Sequence, residues 1–177
     1  MLLKPAMTTR SGYALGLLIC AALMAFAFYL QYVEQQEPCP LCMLQRVAFV
    51  DMMIVFAVAA IHAPARRGAL VYSGLLCVMA VLGAAVAGRQ VWLQHLPADK
   101  VPACGPGFEY MIEQFPLADA LRKILAGSGE CAEVGWKFLG LSIAGWSLVW
   151  FVILGAFSLY IALRAPRATR ALSSAAR

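Results

Sequence analysis

Four long apolar stretches separated by short polar segments set the pattern of this chain. Residues 11–33, 68–88 and 138–163 contain no charged side chain, and residues 43–61 contain only Arg46 and Asp51. Crossing the hydrocarbon of a bilayer takes about 17 to 25 helical residues, so each stretch is long enough to span. A spanning segment must satisfy its own backbone hydrogen bonds, and these runs are rich in Ala, Leu, Val and Met over helical lengths. The expected fold is an all-α membrane protein. It forms a single membrane domain over residues 1–177, a four-transmembrane-helix bundle with loops over about 34–42 and 89–137.

The long loop has a pattern of its own. Phe108, Met111, Ile112 and Phe115 fall at i, i+3, i+4 and i+7, Pro116 interrupts, and Leu117, Leu121, Ile124 and Leu125 resume the period up to Gly127. Glu113, Asp119, Arg122 and Lys123 occupy the other side. This spacing predicts two short amphipathic helices lying along the membrane surface.

Composition agrees with lipid as the bulk solvent. The 177 residues are 63% hydrophobic and 13% charged, against about 25% charged in soluble domains. A net charge of +5 raises the question of nucleic acid, but the cations come in short clusters between apolar runs and form no basic stripe. They report topology instead. Lys4 and Arg10 precede the first span, Arg66 and Arg67 separate the second and third, and Arg164, Arg167, Arg170 and Arg177 follow the fourth. The first loop has Glu34 and Glu37 without a cation, and the segment 89–137 mixes five cations with six acids. Since positive flanks stay in the cytoplasm, both termini are expected there, with the two loops outside, in the periplasm of a bacterial inner-membrane protein. A cleaved leader ending at Ala25-Phe26-Ala27 fits less well, because the apolar run exceeds the usual 7 to about 15 residues of a leader core.

Topology then sorts the six cysteines. Cys39 and Cys42 fall where the second span begins, and Cys104 and Cys131 fall in the long outer loop. Disulfides persist on the oxidising side of the membrane, so two outer pairs read as disulfides. Cys20 and Cys77 lie mid-span, where free cysteine behaves as a small apolar residue.

Cys39-Pro40-Leu41-Cys42 is ambiguous taken alone, since the spacing also serves zinc sites and thioredoxin-like folds. A thioredoxin-like site belongs on a soluble fold, and Arg46 would repel a metal cation; no metal is expected. Cys42 sits near the first turn of a helix, where unpaired N–H groups favour a thiolate. Arg46, one turn on and on the same face, is an ionisable residue at membrane depth and hence a candidate for function. The plainer alternative is an inert staple with a snorkelling arginine. Gly105-Pro106-Gly107 after Cys104 and Gly127-Ser128-Gly129 before Cys131 predict exposed, flexible turns at both. That suits either an exchanging pair or a structural tie on a long loop. Gln90 and His95 come where the third span leaves the membrane, and His95 is either a donor to a carbonyl or an interfacial surface histidine. Asp51, five residues after Arg46, points elsewhere on the helix and has no assigned role.

Together these residues resemble the DsbB family of quinone-dependent oxidases. The resemblance covers nearly the whole chain: four spans, Cys39-Pro40-Leu41-Cys42 followed by Gln45-Arg46, Gln90 and His95 at the end of the third span, Cys104, and Gly129-Glu130-Cys131-Ala132-Glu133 with Trp136 through Leu141. It implies a protein-disulfide oxidoreductase that reoxidises a periplasmic DsbA-like protein and passes two electrons to a membrane quinone, ubiquinone or alternatively menaquinone. Its catalytic cysteines would be Cys39, Cys42, Cys104 and Cys131, paired Cys39–Cys42 and Cys104–Cys131. Arg46, His95 and Gln90 would line the quinone. A DsbA–DsbB–quinone relay is the general means by which the bacterial periplasm is kept oxidising. Two other classes compete: a tetraspan scaffold with structural loop disulfides, and a quinone-coupled thiol enzyme like vitamin K epoxide reductase, against which the order of the cysteines along the chain argues.

Overall fold

A computed structural model of the chain describes residues 8–105 and 108–166. Lys4, Arg167, Arg170 and Arg177, used above to argue topology, lie outside the described residues, as do Pro106 and Gly107. Among the described residues, four helices are long and apolar enough to cross a membrane: α1 Thr9–Tyr32, α2 Pro40–His62, α3 Arg66–Leu93 and α7 Ile143–Arg164. Between α3 and α7 come a short 3-10 turn, Ala98–Lys100, the helices α4 Phe108–Gln114, α5 Leu117–Ala126 and α6 Gly129–Ala132, and a hairpin of β1 Lys137–Phe138 and β2 Leu141–Ser142.

The helix ends follow from local chemistry. Thr8 caps α1 by accepting from the Ser11 amide at 3.2 Å, one of the donors a helix N-terminus leaves free. Cys39 is the N-cap of α2 in extended conformation, and Pro40 takes the first helical position, where its missing N–H costs nothing. Ala63, in the left-handed region at φ 45°, ends α2 ahead of Pro64.

Two boundaries differ from those read off the hydropathy. Helix α3 runs to Leu93 rather than Gly88; its 28 residues make about 42 Å of helix against about 30 Å of hydrocarbon. Its last turns carry Arg89, Gln90 and Leu93 to the docked loop and the start of α2. The fourth span starts at Ile143, not Phe138. The apolar stretch before it is a hairpin, Lys137 opposite Ser142 and Phe138 opposite Leu141, turned by Leu139 at φ 50° and Gly140 at φ 82°. Positive φ at both central positions is what a two-residue hairpin turn requires. Ser142 then caps α7 through the Gly145 amide at 3.2 Å and donates to Gln94 Oε1 at 2.7 Å. That bond ties the start of α7 to the end of α3.

The spans close a ring in which α1 packs on α2, α2 on α3, α3 on α7 and α7 on α1. Lipid tails are as apolar as leucine, so close packing rather than burial from water holds such helices together. Gly16 on α1 accepts the Phe56 ring of α2, and Gly83 on α3 accepts the Phe151 ring of α7. Phe49 and Phe151 stack across the middle with centroids 4.2 Å apart and planes 13° from parallel. Tyr13, fully buried, donates to Ala69 O at 3.1 Å. Cys20 belongs to this core, and Cys77 is half-buried with its sulfur 3.6 Å from Gly155 O.

The long loop is docked on the opposite end of the bundle from residues 8 and 166. As its periodicity predicts, it holds two short helices broken at Pro116. Met111, Ile124 and Cys131 are buried with Leu93, Leu41 and Cys39 in a second apolar cluster. Arg89 donates from Nε to Leu125 O at 3.3 Å and from Nη2 to Ala126 O at 2.9 Å, a cation at the C-terminus of α5 where the helix dipole favours it. Gly127, at φ 83°, lies so close to the Leu93 side chain that no Cβ would fit.

Candidate redox site

Three of the four outer cysteines converge where the docked loop meets the start of α2. Cys39, at the N-cap, and Cys42, one turn into the helix, have their sulfurs 3.1 Å apart. Cys131, on the single turn of α6, is fully buried and lies in the same buried cluster as Cys39. Cys39 is therefore the middle sulfur of a row, with Cys131 on the loop side and Cys42 on the bundle side. All six cysteines of the chain are free thiols in this arrangement.

Cys104 stands outside the row. It is exposed, but its segment crosses the start of α6: the Gly129 amide donates to Ala103 O at 3.3 Å, and a Cβ on Gly129 would come within 3.1 Å of the Cys104 sulfur. The expectation of exposed turns at both loop cysteines thus holds for Cys104 and is corrected for Cys131. The glycines flanking Cys131 serve close packing, letting α6 bury its cysteine against α2.

The electrostatics of the two sulfurs outside the spans divide one proton between them. Cys131 is pushed down to about 6, chiefly by the hydrogen bond from the Cys39 thiol; burial opposes this, and backbone hydrogen bonds at Ser128 and Leu41 and the Ser128 hydroxyl add to it. Leu41 lies in the first turn of α2, so the Cys131 sulfur also draws on a free helix N-terminus. Cys39 is pushed up, first by its hydrogen bond to Cys131, then by that to Cys42 and by burial. Of these two sulfurs, Cys39 therefore holds a proton more strongly and Cys131 more weakly than an ordinary thiol.

Gln90 is buried on α3 and faces the pair. Its Nε2 lies 3.3 Å from the Cys39 sulfur and 3.2 Å from the Cys42 sulfur, and its Oε1 accepts from Gln45 Nε2 at 2.7 Å. Gln90 thus contacts the sulfurs themselves. Sequence reasoning gave Gln45 no role, although its position three residues after Cys42 puts both on one face of α2.

Arg46 is half-buried and is held from α1. It donates to Gln31 Oε1, and from Nη2 to Ala27 O at 3.1 Å, with the guanidinium 5.3 Å from the centre of the Phe28 ring. Its partners are thus groups of this chain, with Gln31 a residue that sequence reasoning missed; a lone amide in the last turns of an otherwise apolar helix was the available signal. Arg46 and Cys42 share the wall of a cavity of about 1010 Å³ between α1, α2 and the start of α7, whose apolar lining includes Met24, Phe49 and Trp150. Gln90 also borders it. His95 does not: it lies just past the end of α3, exposed, with its Nδ1 2.7 Å from Val91 O in the last turn of that helix, and it is absent from the cavity wall. Asp51 is exposed on the outer face of α2.

The arrangement offers an accessible sulfur at Cys104, buried sulfurs at Cys131 and Cys39, a further sulfur at Cys42 on a cavity wall, and a cation on the same wall. Such a row can pass a disulfide from one end to the other by successive thiolate attack.

Comparison with known proteins gives one answer. The family model described as disulfide bond formation protein DsbB matches residues 9–161. A disulfide bond formation protein B of Hahella chejuensis is 56% identical over 161 residues, covering 91% of this chain and 98% of the relative. Relatives of the same description from Nitrosococcus oceani and Marinobacter nauticus are each 51% identical, covering 87% and 89% of this chain and 91% and 94% of their own lengths. No solved structure gives a significant match.

Proposed function

Because the chain belongs to the DsbB family of membrane disulfide bond formation proteins, we propose that it reoxidises a periplasmic DsbA-like dithiol and delivers the two electrons to a quinone beside Cys42. The observation that carries this reading is the sulfur row from Cys131 through Cys39 to Cys42, which ends on a cavity wall shared with Arg46. The clustering of Arg10, Arg66, Arg67 and Arg164 at the end away from the cysteines supports an inner-membrane orientation with both termini cytoplasmic and the loops periplasmic.

The exchange balances as follows. A partner thiolate attacks Cys104 of a Cys104–Cys131 disulfide, that bond breaks, and its electron pair leaves on Cys131, where the backbone hydrogen bonds at Ser128 and Leu41 and the Ser128 hydroxyl receive the charge. Cys131 thiolate attacks Cys39 of a Cys39–Cys42 disulfide; the Cys131–Cys39 bond forms and the pair leaves on Cys42. Cys104, released when the partner's second thiolate closes the partner disulfide, attacks Cys131 and frees Cys39. The net change is one partner dithiol oxidised and one Cys39–Cys42 disulfide reduced.

The cavity suits a flat apolar ring with carbonyl acceptors. Its walls are mostly apolar, and Arg46, anchored by Gln31 and Ala27, supplies a fixed cation there. The chemistry a quinone would supply is acceptance of two electrons and two protons, which restores the Cys39–Cys42 bond; ubiquinone is the first candidate and menaquinone the alternative. Arg46 and Cys42 are the residues to hold it, with Gln90 acting on the sulfurs.

The test adds reduced DsbA-like protein to the purified chain, with and without ubiquinone, and follows free thiols. Thiol loss should require quinone and should vanish in Cys42→Ser. Full turnover in that variant, or no quinone dependence in the unaltered protein, overturns the reading and leaves a scaffold with loop disulfides.

A further inference from the structure

We propose that Gln45 is a positioning residue for the exchange: by donating from Nε2 to Gln90 Oε1, it fixes the Gln90 amide so that Gln90 Nε2 faces the Cys39 and Cys42 sulfurs. The inference rests on the relay reading above. Both glutamines are buried, Gln45 at 3% and Gln90 at 4% exposure, so neither can look to bulk water for a partner. The primary amide of Gln90 has two faces of opposite character, an oxygen that only accepts and an NH₂ that only donates. Which face meets the sulfurs decides what it does there.

With the oxygen toward the sulfurs, Gln90 accepts from S–H and stabilises protonated thiols. With the nitrogen toward them, it donates to sulfur and stabilises the thiolate. The two arrangements nearly coexist geometrically, since the Cys42 sulfur is 3.5 Å from Gln90 Oε1 and 3.2 Å from Nε2. The 2.7 Å bond from Gln45 breaks the tie: Oε1 keeps a second lone pair, but turning the amide over would lose this bond and set the Gln90 NH₂ against the Gln45 donor, so Nε2 stays at the sulfurs. A hydrogen bond to a charged acceptor in a dry site is among the stronger ones a side chain makes.

The step this serves is the attack of Cys131 thiolate on Cys39. The Cys39–Cys42 bond breaks, its electron pair goes to the Cys42 sulfur, and the new charge appears 3.2 Å from the amide nitrogen already aimed at it. No proton moves in this step. The donor is set before the charge develops, so no reorientation is needed when it does.

The test needs neither quinone nor partner. In full-length protein carrying Cys39→Ser, Cys104→Ser and Cys131→Ser, Cys42 is left as a single free thiol beside Gln90, and its alkylation by iodoacetamide at pH 7 is timed by mass spectrometry. Gln45→Met should slow it about tenfold, the loss expected when one charge-assisted hydrogen bond is misdirected. Gln90→Met should slow it at least as much, and the double variant should be no slower than Gln90→Met alone, since Gln45 acts through Gln90. Thermal unfolding identifies a variant that has not folded, and Gln45→Leu replaces Gln45→Met in that event. An unchanged rate in the folded Gln45 variant, or slowdowns that multiply in the double variant, overturns the proposal. Loss of quinone-dependent turnover as a property of the unaltered protein would instead overturn the relay reading, and this alkylation series would not register it.

Discussion

Replacing Cys39 with alanine should cost Cys131 its thiolate. In the fully reduced protein the Cys131 thiol is pushed down to about 6 from an ordinary 9.0, and the hydrogen bond from Cys39 is the largest cause. At pH 7 a thiol of that kind is about 90% ionised, whereas an ordinary one near 9 is about 1% ionised. Alanine removes the donor and leaves burial, which favours the neutral thiol, opposed only by the bonds at Ser128 and Leu41. The midpoint should therefore move above pH 7. Ultraviolet absorbance of the thiolate reads this directly, taken as the difference between protein with Cys131 and protein with Cys131→Ser, once with Cys39 intact and once in the Cys39→Ala background. Because the docked form lowers the proton affinity of Cys131, this thiolate stabilises docking of the reduced loop fully above pH 9.0, less as pH falls, and not at all below about 6. A transition near 6 that survives Cys39→Ala would assign the effect to the bonds at Ser128 and Leu41 instead of Cys39, and a transition near 9 in the native background would mean that Cys131 is not seated on Cys39.

Three further outcomes follow from the packing. Gly83→Ala places a Cβ against the Phe151 ring and should destabilise the bundle by about 1–3 kcal/mol; an unchanged thermal midpoint in detergent would show that the ring yields freely. Arg89→Met removes both bonds to the last carbonyls of α5, so limited proteolysis within residues 115–127 should quicken several-fold, and equal cleavage rates would refute Arg89 as the anchor. Asp51 is exposed in the middle of α2, where an acidic side chain costs about 2.5–3.5 kcal/mol in hydrocarbon. Asp51→Leu should match or exceed the native thermal midpoint at unaltered turnover, and a fall in turnover would give Asp51 a role.

The spans were legible because hydropathy and length report the same constraint, and three of them carry no charge at all. The false start of the fourth came from the same signal. Phe138, Leu139 and Leu141 are as apolar as the helix that follows, and only Gly140 marks the turn that sends them into a hairpin. The loop helices were readable from their period, yet the burial of Cys131 was not. It depends on α6 meeting Leu41 and Cys39 across about 90 residues of chain, a tertiary contact that a local glycine-rich pattern reads as exposure. Gln90 and His95 illustrate the same limit. Gln90 lies in the last turns of α3, which aim it at the sulfurs, whereas His95 follows the C-cap Gln94 in the turn that leaves the helix and stays at the surface. Placing them needed the true length of α3, which the hydropathy cut short at Gly88.

In the proposed relay, the direction of exchange would follow from which sulfurs the docked loop leaves reachable. A soluble protein can approach Cys104, which is exposed, but not Cys131 or Cys39, at 0% and 8% exposure. Cys42 in turn borders the cavity inside the bundle. In the proposed relay a dithiol partner enters at Cys104 and a membrane-dissolved acceptor at the cavity, which Cys39 and Cys42 border and Cys131 does not. Arg89 and the tight seat of Gly127 on Leu93 hold α5, and the segment after it carries Cys131 to Cys39. The Cys104 segment rests only on the start of α6, through Gly129. One cysteine of the loop pair is thereby fixed and the other exposed, which is the asymmetry that a relay between water and membrane requires.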